Sequence, residues 1–207
     1  SGAVDIGMVS RDIAPEEEAR GAFALPVATD AVFPIAQAQN PALEALMRRG
    51  VPREAFVGIF VTGEVSAWGQ VVAQPALMDE VHVYTRSDAC GAGDTWARYL
   101  GGKQEDLRGI GVYGDPGVVD AVARDPLGIG YSNLSYAFDP RTDKPVAGTV
   151  VLPIDADGDG KAGVGEVLLT REDALRAVAE GRYPSPPARA LYLVTRGEPA
   201  GVVRAFL

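Results

Sequence analysis

The chain has 207 residues, a formal net charge of −9 and a hydrophobic fraction of 47%. The length suffices for one large or two modest domains, and no apolar run approaches the roughly 20 residues that a membrane-spanning helix needs. The acidic balance and the scattered basic residues exclude nucleic acid as the expected partner. The single cysteine, Cys90, excludes an internal disulfide and a paired-cysteine metal site.

In chain order the sequence predicts alternating strands and helices, the pattern of an α/β fold. In the first half, strands are predicted at 3–9, 31–36 and 80–85, and helices at 41–49, 51–60 and 95–100. In the second half, strands are predicted at 110–113, 128–131, 146–154 and 190–195, and helices at 118–124 and 170–180, with a turn at 114–117. Thr170 and Asp173 have the spacing of a helix-capping pair.

The two ends of the sequence do not resemble natural termini. The chain starts without methionine on a strand-like segment, and it stops inside an apolar helical pattern at 202–207. We therefore expect an internal piece of a longer protein, in which the lack of a leader segment says nothing about localisation.

The segment 82–96 is the strongest candidate site, because a strand that ends in Arg86 passes through small residues into a helix. Small residues let backbone N–H groups approach a ligand, and the start of a helix attracts negative charge. Arg86 adds a planar, permanently charged fork that suits an oxyanion, and Asp88 is placed to hold it. An ordinary strand–turn–helix connection with a solvated Arg–Asp pair would explain the same residues.

Residues 86–92 resemble the arginine-x-aspartate-glycine-serine-glycine-threonine loop of the phosphate-binding proteins of ABC importers. Further segments match that family in the same order: 5–11, 29–35, 59–63 with Trp68, 128–131 and 183–194. The resemblance implies an α/β, two-lobed periplasmic-binding-protein fold with mixed sheets and an anion held in the cleft between the lobes. It divides the chain into 1–30 (part of the first lobe, incomplete here), 31–189 (second lobe, including a crossing strand) and 190–207 (returning crossing strand and start of a first-lobe helix).

The resemblance also implies roles for individual residues. Arg86 would bind the anion and Asp88 would orient Arg86, while backbone N–H groups of Cys90, Gly91 and Ala92 would surround the ligand. From the first lobe, Ser10 and Arg11 would contribute.

Three positions depart from the family pattern. Cys90 and Ala92 stand where the family has serine and threonine, and Thr95 is a candidate replacement for one lost hydroxyl. Arg11 stands where some members have an aspartate that accepts the proton of hydrogen phosphate, so phosphate and sulfate both stay open.

The expected function is non-catalytic capture of phosphate or a related tetrahedral oxyanion, in the periplasm or at the cell surface, and delivery to an ABC permease. Because the family has a further strand and an anion loop ahead of the position of Ser1, we expect this chain to bind more weakly than a complete member. One alternative is a surface oxyanion sensor or adhesion module. Another is a calcium-stabilised hydrolase that uses Cys90, for which the sequence offers no general base, since His82 is expected to be structural.

Residues 155–166 match the D-x-D-x-D-G-x5-E calcium loop at every ligand position. Four carboxylates repel one another without a cation, and hard oxygen ligands suit Ca²⁺ better than Zn²⁺. We therefore predict a lone, stabilising calcium loop; an acidic glycine-rich surface turn is the alternative. The predicted ligands are Asp155, Asp157, Asp159, the carbonyl of Lys161, and Glu166.

Overall fold

A computed structural model describes residues 4–207 of the chain. The chain forms two compact units, which we call the terminal unit (Ser1–Asp30 with Arg189–Leu207) and the central unit (Ala31–Ala188). The sequence prediction divided the chain after residues 30 and 189. In the described residues, no helix is long and apolar enough to cross a membrane.

Short strands and helices alternate along most of the chain. Over residues 4–207 the strands are β1 (Gly7–Val9), β2 (Ala22–Gln37), β3 (Val51–Pro52), β4 (His82–Arg86), β5 (Ile110–Val112), β6 (Gly128–Asn133), β7 (Phe138–Asp139), β8 (Lys144–Pro145), β9 (Thr149–Val151), β10 (Ile154–Asp155) and β11 (Ala188–Arg196). The α-helices there are α1 (Pro15–Ala19), α2 (Leu43–Arg49), α3 (Arg53–Val57), α4 (Trp68–Val71), α5 (Gly91–Leu100), α6 (Gly114–Arg124), α7 (Leu134–Ala137), α8 (Arg171–Ala179) and α9 (Gly201–Phe206). A π-helical segment (Gly58–Thr62) follows α3, and a 3₁₀ turn covers Gln104–Asp106.

The central unit is built on a mixed sheet. Strand β2 pairs antiparallel with β9 on one side and with β6 on the other. Strand β4 runs parallel to β6, and β5 runs parallel to β4, with Arg86 opposite Val112. The carboxyl ends of β4, β5 and β6 therefore lie at one edge of the sheet, where ligand sites of α/β folds are commonly found. This is the mixed α/β arrangement that the resemblance implied.

An aromatic core supports the sheet of the central unit from helix α5. Trp96 is fully buried, and its ring lies 5.2 Å from Phe56, 5.7 Å from Phe60 and 5.8 Å from Tyr131. Burying large aromatic side chains contributes much of the hydrophobic stabilisation of a domain. The helix that starts beside Arg86 is thus anchored in the core.

Helix α6 packs closely on strand β6 because Gly130 has no side chain. A Cβ atom at Gly130 would lie 2.7 Å from Cγ1 of Val118 and 3.0 Å from Cγ2 of Val122, both on α6. These distances are too short for carbon atoms, so a larger residue would push the helix away. Gly130, the second glycine of the Gly-Ile-Gly-Tyr segment, is therefore needed for the close packing of α6 on β6.

The terminal unit contains a short antiparallel strand pair. Strand β1 pairs antiparallel with β11, with Gly7 opposite Val194, and β11 lies between β1 and β2 in the strand order. Helix α1 precedes β2, and α9 is the helix that the apolar pattern at 202–207 predicted.

Two predicted elements differ from the structure near the candidate site. The helix predicted at 95–100 begins four residues earlier, at Gly91. The segment 114–117, predicted as a turn before a helix at 118, is itself the first turn of α6. Proline is tolerated in the first turn of a helix, since its missing N–H has no intrahelical partner there, so Pro116 does not delay the helix.

Other predicted elements are shorter or divided. The helix predicted from Val51 begins at Arg53, because the Val51 N–H donates to the carbonyl of Pro153 (2.9 Å) and β3 pairs with β10. The strand predicted at 146–154 is split into β9 and β10. The strand predicted at 3–9 is observed from Gly7, and its first residue lies outside the described part. The capping pair is confirmed: Asp173 N donates to Thr170 Oγ1 and Thr170 N to Asp173 Oδ2, both at 3.0 Å.

Candidate functional site

The candidate site of the central unit lies at the carboxyl edge of its parallel strands. Arg86 is the last residue of β4, and α5 begins five residues later at Gly91. Helix α6 begins at Gly114, two residues after the end of β5, and Asn133 is the last residue of β6. Because parallel strands end at the same edge, the chain brings Arg86, two helix N-termini and Asn133 together.

The Arg86 guanidinium is held by two carboxylates and is only 7% exposed. Its Nε donates to Asp88 Oδ1 (2.9 Å) and its Nη2 donates to Asp88 Oδ2. Its Nη1 donates to Asp115 Oδ2 at 2.6 Å. The hydrogen bond with Asp88 raises the pKa of Arg86 and lowers the pKa of Asp88 well below its usual range. Both groups are therefore charged throughout the neutral range.

Asp115, which the sequence reasoning missed, is the second of these carboxylates. Its Oδ1 accepts from Ser132 Oγ and from the backbone N–H of Asn133, and its Oδ2 accepts from Asn133 Nδ2, each at 3.3 Å. The side chain is 10% exposed, and a buried carboxylate is tolerated when it is paired and hydrogen-bonded in this way. The available signal was an acidic residue before proline just after a strand, which is typical of a helix start.

Gln104 closes the loop between β4 and α5. Its Nε2 donates to the carbonyl of Asp88 (2.7 Å), and its Oε1 accepts from the backbone N–H of Cys90 (3.0 Å). The Cys90 N–H, predicted to bind an anion, is therefore occupied by Gln104 in this structure, and that role requires Gln104 to release it. No local pattern could have identified Gln104, which lies beyond the end of α5.

Gly91 and Ala92 are the first two residues of α5. N–H groups in the first turn of a helix have no intrahelical acceptor and lie at the positive end of the helix dipole. The thiol of Cys90 caps this turn by accepting from Gly93 N at 3.2 Å. The start of α5 thus adds a positive potential near Arg86.

Ser10 and Arg11 lie in the terminal unit, just after β1. Arg11 donates to Glu17 of α1 through Nη1 (2.8 Å) and Nη2 (2.9 Å), and Nη1 also donates to the carbonyl of Asp12 (2.9 Å). The hydrogen bond from Arg11 lowers the pKa of Glu17 to about 2. An anion-binding role for Ser10 and Arg11 stays a prediction.

The surroundings of Cys90 do not favour a nucleophile. Burial raises the pKa of the thiol, which reduces the thiolate fraction at neutral pH. His82 Nδ1 lies 2.7 Å from Asp125 Oδ2 at the beginning of β4, about 13 Å along the strand from Arg86. The one histidine is therefore bound to a carboxylate at the far end of the strand that leads to Cys90.

The predicted calcium loop brings three of its five predicted ligands together. Asp155, Asp157 and Asp159 each offer an oxygen, and these oxygens lie within 4.8 Å of one another. Oxygens bound to one Ca²⁺ at about 2.4 Å are separated by no more than about 4.8 Å, so the three carboxylates fit this ion. Glu166 instead accepts from the N–H groups of Ala156 (2.8 Å) and Gly163 (2.9 Å).

One known protein family matches the whole chain. The sequence profile of the PBP superfamily domain matches residues 1–207. Among curated proteins, none matches this chain.

Solved structures with the same fold include phosphate-binding proteins. A substrate-binding protein assigned to a phosphate ABC transporter of Clostridium perfringens, with bound phosphate, is 22% identical with a TM-score of 0.70, over 99% of this chain and 72% of that one. An ABC-type phosphate transport receptor from Vibrio cholerae is 16% identical with a TM-score of 0.69, over the same shares. PstS from Borrelia burgdorferi is 20% identical with a TM-score of 0.56, over 98% and 71%. Identities this low establish the fold alone.

Proposed function

The chain belongs to the PBP superfamily, and we propose that it captures phosphate, or a tetrahedral oxyanion like it, at the Arg86 site of the central unit. The observation that carries the proposal is a nearly buried guanidinium, fixed at the edge of a parallel sheet beside the first turn of α5. Charge-assisted hydrogen bonds from arginine and the start of a helix are both suited to oxyanions. Structures with this fold that are named for phosphate add support.

The hydrogen-bond inventory of Arg86 is compatible with a ligand. A guanidinium has five N–H hydrogens, and the two carboxylates use three of them. One hydrogen then remains on each terminal nitrogen. We propose that these two hydrogens, together with N–H groups at the start of α5, bind the anion.

The proposed role is capture without catalysis, outside the cytoplasm, with delivery to an ABC permease. The superfamily is one of binding proteins, and the raised pKa of Cys90 argues against the hydrolase alternative. A surface oxyanion sensor would use the same site and differs only in the partner that reads the bound state.

A phosphate titration followed by NMR or calorimetry tests the proposal. We expect wild type to bind phosphate and Arg86→Gln to bind at least about 100-fold more weakly, since charge-assisted hydrogen bonds are lost. Arg124→Gln is the matched control. Arg124 is exposed, pairs with Asp120, and is the last residue of α6, at the end of the helix away from Asp115. A parallel sulfate titration separates the two oxyanions. Equal affinity in wild type and Arg86→Gln, or no response of wild type to millimolar phosphate, would refute the proposal.

We also propose that Asp155, Asp157 and Asp159 bind a stabilising Ca²⁺, with Lys161 and Glu166 completing the ligand set. The support is the match of the sequence to the loop motif and the spacing of the three carboxylate oxygens. Glu166 would have to exchange its bonds to the amides of Ala156 and Gly163 for the ion.

Thermal unfolding in calcium and in chelator tests this second proposal. A ligand at 100 times its dissociation constant stabilises by about 2.7 kcal/mol, so saturating CaCl₂ is expected to raise the Tm of wild type by roughly 5 to 10 °C. The double variant Asp157→Asn/Asp159→Asn should lose the shift, while Glu172→Gln, which changes an exposed carboxylate on α8, should keep it. A wild-type Tm that is the same in calcium and in chelator would count against the site.

A further inference from the structure

We infer that Asp115 is a positioning residue that fixes the Arg86 guanidinium for the anion, an inference that rests on the proposed function. The juxtaposition that points to it is one arginine side chain between two carboxylates from different elements. Asp88 comes from the loop that follows β4, and Asp115 comes from the first turn of α6.

Asp88 lies two residues after Arg86, and its side chain is 27% exposed. Its Oδ1 also accepts from the backbone N–H of Gly114, the first residue of α6, at 3.1 Å. Asp88 therefore holds Nε and Nη2 of Arg86 against the start of that helix, and it does not contact Nη1. Asp115 binds the opposite terminal nitrogen, Nη1, from an element 29 residues further along the chain. With contacts on Nε, Nη2 and Nη1, the plane of the guanidinium is set by two carboxylates, and both are held at the first turn of α6.

Asp115 is itself held in place by β6. Ser132 Oγ and both nitrogens of Asn133 donate to its carboxylate. The carboxylate therefore joins α6, β6 and β4 at one point. These bonds also leave it little freedom to turn away from Arg86.

Helix α6 is also tied to β4 at its other end. Asp125, which follows the helix, accepts from Tyr84 Oη (2.8 Å) and lies 2.7 Å from His82 Nδ1. Alternate residues of a strand lie on one face, so 82, 84 and 86 share a face of β4. Carboxylates at the two ends of α6 thus contact three alternate residues of the strand, and Asp115 can shift only if the helix shifts.

The two carboxylates have opposing consequences for an anion. They orient the guanidinium, and they also give the three side chains a combined formal charge of −1, which by itself repels an anion. Asparagine removes the charge and keeps one oxygen, which can still accept from Nη1 of Arg86. Its NH2 then replaces the oxygen that accepts from Ser132 Oγ and the Asn133 N–H. Positioning predicts that Asp115→Asn binds phosphate at least as tightly as wild type, whereas Asp115→Ala binds about tenfold more weakly or worse.

The experiment combines a phosphate titration with NMR of the arginine side chains in the absence of ligand. In wild type and in Asp115→Asn, we expect the terminal N–H signals of Arg86 to be resolved and protected from exchange. In Asp115→Ala they should broaden and exchange faster. Asp120→Ala is the control, because Asp120 is an exposed carboxylate on the same helix. Arg86→Gln assigns the signals by their loss.

The outcomes distinguish this inference from the proposed function. Unchanged Arg86 signals and unchanged phosphate affinity in Asp115→Ala would overturn the inference, as would an Asp115→Asn variant that behaves like Asp115→Ala in both readouts. If wild type does not bind phosphate while the Arg86 signals still depend on Asp115, the proposed function is refuted. The positioning of Arg86 by Asp115 is then confirmed as a contact that serves no anion. Should Asp115→Ala fail to fold, Asp115→Asn against wild type decides: loss of the protected Arg86 signals there overturns the inference.

Discussion

Arg86 and Arg11 are both arginines that the family resemblance assigns to an anion, and the structure treats them differently. Each donates through two nitrogens to one carboxylate, Asp88 in one case and Glu17 in the other. Arg86 is 7% exposed and has a second carboxylate, Asp115. Arg11 is 35% exposed, and its partner Glu17 is 39% exposed.

The difference shows that paired geometry alone does not define a site. The Arg11–Glu17 pair is formed within six residues of one short segment and is open to solvent, where water and salt weaken it. The Arg86 cluster joins β4, α6 and β6, and it is shielded from water, so its charges interact strongly. A fixed, shielded guanidinium is the better preorganised of the two for an anion.

The largest difference should appear in stability. Arg86→Gln leaves Asp115 buried without its cation, and we expect the free energy of unfolding to fall by about 3 kcal/mol. Arg11→Gln should change it little, since the Arg11 pair is exposed. Urea denaturation of both variants at neutral pH measures this, and the slope of the transition must stay constant for the comparison to hold. Equal losses of unfolding free energy in the two variants would show that the buried Arg86 cluster stabilises the fold no more than the exposed Arg11–Glu17 pair does.

A smaller effect is expected from the titration of Glu17. The bond from Arg11 lowers its pKa from 4.5 to about 2, so the carboxylate form is favoured in the folded chain. Its contribution to stability is therefore complete above pH 4.5 and is lost as pH falls through 2. Carbon-13 NMR of the side-chain carboxyl should give a midpoint near 2.

Arg11→Gln is the variant that checks the cause of this shift. Without the guanidinium, the Glu17 midpoint should rise toward 4.5, whereas Arg20→Gln, which changes a more distant charge, should move it much less. A midpoint that stays near 2 in Arg11→Gln would assign the shift to the backbone bond from Ala14 instead.

The sequence predicted the parts of the site that are local. Arg86, Asp88 and the start of α5 lie in one continuous segment, so a strand, a small-residue turn and a helix were enough to identify them. Asp115 was missed because 114–117 was interpreted as a turn, which hid an acidic first helical turn. Gln104 was missed because it follows α5 in the sequence, whereas its partners Asp88 and Cys90 precede that helix. These contacts form only because the chain after α5 folds back to the start of the helix.

By itself, the sequence determined the α/β alternation, the Thr170–Asp173 capping pair and most of the element order, because periodicity, glycine, proline and capping residues act over a few neighbours. Only the tertiary structure decided which carboxylates meet Arg86 and which arginine is shielded from water. Those choices depend on strand order and helix packing, such as α6 resting on Gly130, which bring together residues far apart in the chain.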